Sequence, residues 1–315
     1  MPRNGLETTL PIADLTDQQI RVRVFDFLAE KTALLGEVLP WEVLSKGLVL
    51  AGQRVPLIGP QGIFKPAVLA DAPISITTAP AVEGKRRPYE DGIDSDGVLE
   101  YRYRGTDPMH RDNVGLRTAM QARLPLAYFH GVVKGEYLPV WPVYVVADER
   151  SRLLFRVDLA DGKLEAVPSM PELAAEARRS YVTVVTRQRL HQATFRQRVL
   201  QAYRQRCAIC RLKHAELLEA AHILPDGHPR GEPIVPNGVS LCTLHHAAFD
   251  RHIFGVTPNL VIEVRRDILE EVDGPMLRYG LQEIEGSKLI VPTSPHLQPR
   301  REFLEERYEA FRKAG

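Results

Sequence analysis

The sequence predicts an α+β protein in two parts, and three observations carry that prediction. Between Val49 and Leu159, short β-like runs are broken by Gly and Pro, the texture of a curved barrel or curled sheet. On either side of that region, apolar residues recur at helical spacing. All three cysteines and six of the ten histidines fall between Cys207 and His252, the pattern of a metal-framed module. A chain of 315 residues is long enough for two domains, each with its own core.

Taken in order, Thr16 can cap a helix in which Ile20, Val24, Phe25, Phe27, Leu28 and Leu35 recur at helical spacing. A second short helix follows Pro40 at Trp41–Ser45. The runs VLAGQRVPLIG, GIFKPAVL and ISITTAP begin the β region, and VLEYRYRG, PLAYFHGVV, LPVWPVYVVAD and RLLFRVDL continue it. One helix near Asn113–Ala122 interrupts them. Ala160-Asp-Gly closes the region, and PELAAEARRSYVTVVTRQRLHQ reads as a connector with one helix. Thr194 then caps a helix whose Phe195, Val199, Leu200 and Tyr203 share a face. Past Gly255 come a strand at Leu260–Val264 and a last helix near Arg300–Lys313. The resulting division is a helical segment at 1–48, a β-rich domain at 49–170, a linker at 171–193 and a C-terminal domain at 194–315. There is no internal repeat and no low-complexity tract.

Composition narrows the functional classes. At 44% hydrophobic and 26% charged residues, the chain is not disordered, collagenous or fibrous. No apolar run approaches the roughly 20 residues of a membrane span, so no membrane partner is expected. The start MPRNGLETTLPIADL lacks a cationic stretch followed by an apolar core, so the expected location is cytoplasmic. Three cysteines are too few for a disulfide framework. The balance of 41 Lys+Arg against 40 Asp+Glu, taken alone, argues against a nucleic-acid binder. The charge is unevenly spread, however. From Ala177 to Lys213 there are ten Lys+Arg and no acid, with arginine dominant as phosphate recognition favours. A solvated helix face is the alternative; as a phosphate track, its candidate DNA contacts include Arg187, Arg189 and Arg196.

The cysteines and histidines are paired. Cys207-Ala-Ile-Cys210 is followed, after thirty-one intervening residues, by Cys242-Thr-Leu-His245. Each turn brings two ligands to one ion, and two turns complete a tetrahedral site with no open position, as for a structural Zn²⁺. Between and after these knuckles lie Leu218-Glu-Ala-Ala-His222-Ile-Leu-Pro, Pro236-Asn237-Gly-Val-Ser-Leu and His246-Ala-Ala-Phe-Asp250.

These segments, from Phe195 to Val256, resemble the HNH (ββα-metal) endonucleases, with the three motif letters on His222, Asn237 and His246. The resemblance implies a ββα-metal domain in which His222 is the general base and Asn237 orients the base or contributes to the metal site. His246 and Asp250, four apart on one helix face, can hold one hard divalent ion, Mg²⁺ or Mn²⁺. Many relatives carry Asp or His just before the base, where this chain has Ala221. Glu219 is a candidate substitute; the alternative is a site of His246, Asp250 and waters. His214, His228 and His252 are read as surface or supporting residues.

A second block, Pro88-Tyr89-Glu90-Asp91-Gly92-Ile93-Asp94-Ser95-Asp96-Gly97-Val98-Leu99-Glu100-Tyr101, is followed by Tyr103, Gly105 and Leu116-Arg117-Thr118-Ala119. It resembles the SRA (SET- and RING-associated) domain, a curved β barrel of the PUA-like class that flips modified cytosine out of duplex DNA. The resemblance implies that Tyr89 and Tyr101 sandwich the extruded base, as flipping requires aromatic faces and polar readers. The family's acidic reader falls on Gly92, so Asp91 or Asp94 would take that role. Arg117 stands where relatives place the residue that fills the vacated stack, while Gly115 and Leu116 replace flanking polar residues. His110, Arg111 and Asn113 are read as loop neighbours able to contact DNA.

The combined expectation is a modification-dependent restriction endonuclease. An SRA-like domain would read 5-methylcytosine or 5-hydroxymethylcytosine in double-stranded DNA, and a zinc-framed HNH domain would cut nearby. A homodimer is expected because one HNH centre cuts one strand. The alternatives are an HNH nuclease reading another modification or a plain sequence, and a non-catalytic zinc DNA-binding protein.

Overall fold

The computed structural model of the chain describes residues 12–80, 92–93, 98–159 and 172–314. It divides into two compact units, Met1–Ala193 and Thr194–Gly315.

In the first unit, α1 (Asp17–Leu35) begins at Thr16. The Thr16 hydroxyl accepts from the Gln19 amide at 3.2 Å, and Gln19 Oε1 accepts from the Thr16 amide at 2.8 Å, a capping box. Ile20, Val24 and Leu28 are buried in one cluster with Leu57, Phe129 and Trp141. Arg21 is fully buried beside them: Nη1 donates to the carbonyls of Pro73 at 2.9 Å and Pro125 at 2.7 Å, and Asp17 pairs with Nε. A buried guanidinium with satisfied donors ties α1 to two loops, so the N-terminal helix belongs to the core of this unit.

The strands that follow are β1 (Leu39–Pro40), β2 (Leu48–Leu50), β3 (Gln53–Val55), β4 (Ile63–Phe64), β5 (Ser75–Thr78), β6 (Gly92–Ile93), β7 (Val98–Arg102), β8 (Leu126–Val133), β9 (Glu136–Glu149) and β10 (Leu154–Asp158). Helix α2 (Trp41–Lys46) lies between β1 and β2, and α3 (Arg111–Gln121) between β7 and β8. The order in the main sheet is β4-β5-β8-β9-β10-β7-β6, with β1 also on β9. All pairings are antiparallel except β5 with β8. Besides β1, the long β9 pairs with two neighbours in turn: Glu136 to Val143 register with β8, and Tyr144 to Glu149 with β10. Register shifts along both pairings bend it, and the sheet curls. Of the curved barrel or curled sheet expected, the described residues form a curled sheet. Among the described residues no pairing joins β4 to β6, the two ends of the strand order.

The second unit differs from expectation at its start. Helix α4 (Glu172–Ala202) includes residues on both sides of the division between the units. Thr194 is therefore an interior helical residue and not a cap, because no Gly or Pro interrupts residues 172–202. Then come β11 (Leu218–His222), β12 (Gly238–Cys242), α5 (Thr243–Asp250), β13 (Phe254–Val256), β14 (Ile262–Val264), α6 (Arg266–Glu270), α7 (Pro275–Leu277), a π-helical turn at Arg278–Gln282, and α8 (Arg301–Ala314). The strand expected at Leu260–Val264 starts two residues later, since Leu260 takes φ 64° and turns the chain between β13 and β14. One core, including Phe195, Val199, Leu218, Ala221, Val239, Leu241, Phe249 and Phe303, holds this unit together.

Candidate active site and metal centre

Antiparallel β11 and β12 pair His222 with Gly238 and Leu218 with Cys242, and α5 follows directly. This two-strand-and-helix unit brings the predicted residues together. A Cβ at Gly238 would lie 2.5 Å from Val199 and 2.8 Å from the Phe195 ring, so only glycine lets β12 sit this close to α4.

The side chains of Cys207, Cys210, Cys242 and His245 converge, their ligand atoms all within 4.8 Å of one another. His245 Nδ1 lies 3.4 Å from Cys207 Sγ and 3.2 Å from Cys242 Sγ, and Cys210 and Cys242 Sγ are 3.9 Å apart. A tetrahedral ion with bonds of about 2.3 Å to sulfur sets its ligands about 3.8 Å apart, so this group fits a zinc. His245 Nε2 donates to the Gly280 carbonyl at 2.8 Å, which leaves Nδ1 as the lone-pair nitrogen facing the thiols. That carbonyl, in the π-helical turn, carried no signal in the sequence.

His222 stands at the end of β11. The Phe195 ring lies on its imidazole, centroids 4.0 Å apart and planes 17° from parallel. Nε2 is buried with no hydrogen-bond partner among the described residues. Burial, the largest influence, together with His246, lowers the His222 pKa, while Asp226 and Asp250 oppose them. The ring is therefore held neutral, as a base requires.

His246 lies between two carboxylates. Glu219 hydrogen-bonds to Nδ1, and Asp250 Oδ2 is 3.3 Å from Nε2. With the Nδ1 proton donated to Glu219, Nε2 and Asp250 are two acceptors facing each other. Such a pair calls for a cation or a proton between them. Cis ligands of an octahedral ion with bonds of about 2.1 Å lie about 3 Å apart, so His246 Nε2 and Asp250 fit one divalent ion. Glu219 and Ala221 do not share an environment: Ala221 is buried in the core, while the Glu219 side chain is 44% exposed. The two differ in burial, and an acid at position 221 would be buried among apolar side chains.

Asn237 is buried. Its Oδ1 accepts from the Leu224 amide at 2.9 Å, and Nδ2 donates to the carbonyls of Leu224 and Glu232, each at 3.1 Å. It clamps the loop that leaves His222. Arg307, on α8, was not found from sequence: its Nη2 is 3.6 Å from Asp250 Oδ1 and donates to the Phe249 carbonyl at 2.9 Å. His228 pairs with Glu306 at 2.9 Å.

The sequence model of the HNH endonuclease family matches residues 207–257, which span both knuckles, β11, β12 and α5. These residues are an HNH endonuclease domain. Among solved structures, the chain is similar to a modification-dependent TagI restriction endonuclease. The TM-score is 0.28 at 15% identity, over 76% of this chain and 82% of that one. It is also similar to the type IV phosphorothioation-dependent restriction endonuclease ScoMcrA, with a TM-score of 0.20 at 13% identity over 74% and 57% of the two chains. No curated protein matches the chain. Among the described residues, no helix is long and apolar enough to cross a membrane.

In the unit that precedes the HNH domain, Tyr89, Asp91 and Asp94 lie outside the described residues. Tyr101 is buried and donates to the Thr77 carbonyl at 3.2 Å. It lines a cavity of about 380 Å³ together with Trp41, Gln61, Thr78 and Tyr137. Trp41 and Tyr137, with ring centroids 6.0 Å apart, were not expected there; β1 pairing with β9 brings α2 to the cavity. A Cβ at Gly62 would come within 2.6 Å of the Tyr101 hydroxyl.

Arg117 has protein partners: Nε lies 2.7 Å from Asp148 Oδ2, Nη2 is 3.2 Å from the Tyr103 hydroxyl, and only 11% of the side chain is exposed. His110 is the N-cap of α3, accepting from the Asp112 amide at 3.2 Å, and Arg111 is 82% exposed. Asn113, expected in a loop, is buried in α3, where its side chain bonds the backbone of Arg104 and Asp107. Arg189 pairs with Glu37 at 3.0 Å. In the HNH unit, Arg196 Nη2 donates to the carbonyls of Ala215 at 3.2 Å and Leu218 at 2.8 Å. The Arg187 side chain lies outside the described residues.

Proposed function

We propose that this chain is a modification-dependent DNA endonuclease whose first unit reads a modified cytosine, 5-methylcytosine or 5-hydroxymethylcytosine, and whose HNH domain cuts the duplex. The observation that carries the reading is the convergence of His222, His246 and Asp250 on one ββα unit within the family match. His222, with Nε2 buried, takes a proton from water at Nδ1 as the water oxygen attacks phosphorus and the 3′-oxygen departs. His246 and Asp250 would hold Mg²⁺ or Mn²⁺, which supplies Lewis-acid stabilisation of the phosphate charge. Glu219 fixes the His246 tautomer and Asn237 fixes the loop beyond the base. Zn²⁺ on Cys207, Cys210, Cys242 and His245 frames the domain.

The base-reading half rests on the cavity at Tyr101. A volume of about 380 Å³ lined by four aromatic residues, Trp41, Tyr101, Tyr103 and Tyr137, suits a flat, extruded base, with Gln61 and Thr78 available to its polar edge. Double-strand cutting calls for a homodimer. The test is digestion of otherwise identical unmodified, 5-methylcytosine and 5-hydroxymethylcytosine duplexes with Mg²⁺ or Mn²⁺. Preferential cutting of a modified duplex is expected, and equal cutting of all three would contradict it.

A further inference from the structure

Beside the zinc knuckle, the HNH unit carries a second concavity, of about 230 Å³. It is walled by Arg204, Arg206 and Arg211 on one side and by Ile290, Pro292 and Thr293 on the other. The wall at 290 is tied to the knuckle, since the Ile290 amide donates to the Ala208 carbonyl at 2.9 Å. Three arginines line it, and no Asp or Glu does. None of the three arginines has a hydrogen-bond or ion-pair partner for its side chain among the described residues. In the same unit Arg196, Arg230, Arg265, Arg266 and Arg307 all have partners.

The backbone adds an independent observation. Arg204 and Arg211 take φ 55° and 64°, the left-handed region that favours glycine, and Gln205 between them takes 51°. Arg204 and Gln205 close the end of α4, their amides donating to Gln201 and Leu200 carbonyls at 3.0 and 2.7 Å. A helix end of this kind is usually glycine. Long cationic residues therefore occupy positions where the fold itself favours glycine, and both line one concavity.

We infer that this pocket is a subsite for backbone phosphates of the DNA strand, separate from the His222 centre. The inference rests on the reading of the chain as a DNA endonuclease. Planar guanidinium groups match phosphate oxygens, and a concave wall fixes the strand's path past the zinc knuckle.

The test uses the full chain and a duplex, by fluorescence anisotropy without added Mg²⁺ or Mn²⁺, over a range of salt. In the variant R204G/R206Q/R211G, glycine at two left-handed positions relieves the backbone, so melting temperature and zinc content should hold or rise. The expected result is a loss of affinity of at least about tenfold, with the slope of log K against log salt falling by about one to three as phosphate contacts vanish. Restoring charge with R206K in the same background should recover part of the slope. Unchanged affinity and slope would overturn the inference, and so would weaker binding with an unchanged slope. Micromolar binding of inorganic phosphate that the variant loses would assign the pocket to a free anion and also overturn it. Failure of the nuclease reading looks different: the wild-type chain would not cut, while the salt slopes of the two proteins still differed.

Discussion

Phe195 lies flat on His222, ring centroids 4.0 Å apart, and shields the imidazole from water. Protonation would place charge against that apolar face, so the His222 pKa lies below its ordinary 6.5. A protonated His222 cannot accept a proton; activity is present above its pKa and lost as pH falls through it. The acid limb of the cleavage profile should therefore have its midpoint below 6.5. In Phe195→Leu the limb should move up toward 6.5, with zinc content unchanged. A pH–rate profile of both proteins checks this.

Glu219 is the second point of control. Removing an outer partner of a metal-binding histidine typically costs about 10- to 100-fold in metal affinity. Glu219→Ala should raise the Mg²⁺ or Mn²⁺ concentration for half-maximal cleavage by that factor. Glu219→Gln, whose carbonyl still accepts the Nδ1 proton, should cost less. Metal titrations of cleavage rate distinguish the two.

Much of this centre is legible in the sequence because its chemistry is local. Cys207-x-x-Cys210 and Cys242-x-x-His245 turn back on themselves, and His246 and Asp250 share a helix face by spacing alone. What spacing cannot reveal is which residue arrives from another element. Phe195 reads as one more apolar position on α4, Arg307 as one charge on an amphipathic last helix, and Gly280 as a loop glycine. Each acquires its role only when α4, α8 or the π-helical turn packs against α5 and β11. The first unit is legible as short strands with helices at α1, α2 and α3, but its curl comes from β9 changing partners midway, which no local pattern encodes. Thr194 misled because a good capping residue also tolerates a helix interior when nothing breaks the helix around it.

The zinc group should decide whether the HNH domain folds. Cys242→Ser, or removal of zinc by a strong chelator, should abolish the thermal transition of the second unit and leave that of the first. Structural zinc in small modules contributes folding free energy on the order of 10 kcal/mol. Calorimetry with zinc quantified in the same samples reads this out.

In the first unit, Asp148 joins Arg117 and Tyr103, and the pair's side chains are only 9% and 11% exposed. Burial pushes the Asp148 carboxyl up, but hydrogen bonds from Tyr103 and Arg117 outweigh it and hold the pKa below the ordinary 3.8. A depressed folded value means stability that is present above 3.8 and lost as pH falls through the lower folded value. Arg117→Ala leaves the buried Asp148 carboxylate with only the Tyr103 hydroxyl and the more exposed Arg150, and should cost up to about 3 kcal/mol at neutral pH. The loss should shrink in acid, which denaturant melts at two pH values would show.

The central claim is that the HNH centre cuts DNA with His222 as its base. The most direct measurement is cleavage of a modified duplex by His222→Ala beside the wild-type chain, with DNA binding and zinc content measured in parallel. The account predicts a rate loss of about 10²- to 10⁴-fold, the usual contribution of a general base, with binding and zinc retained. Cleavage by His222→Ala at the wild-type rate would contradict it.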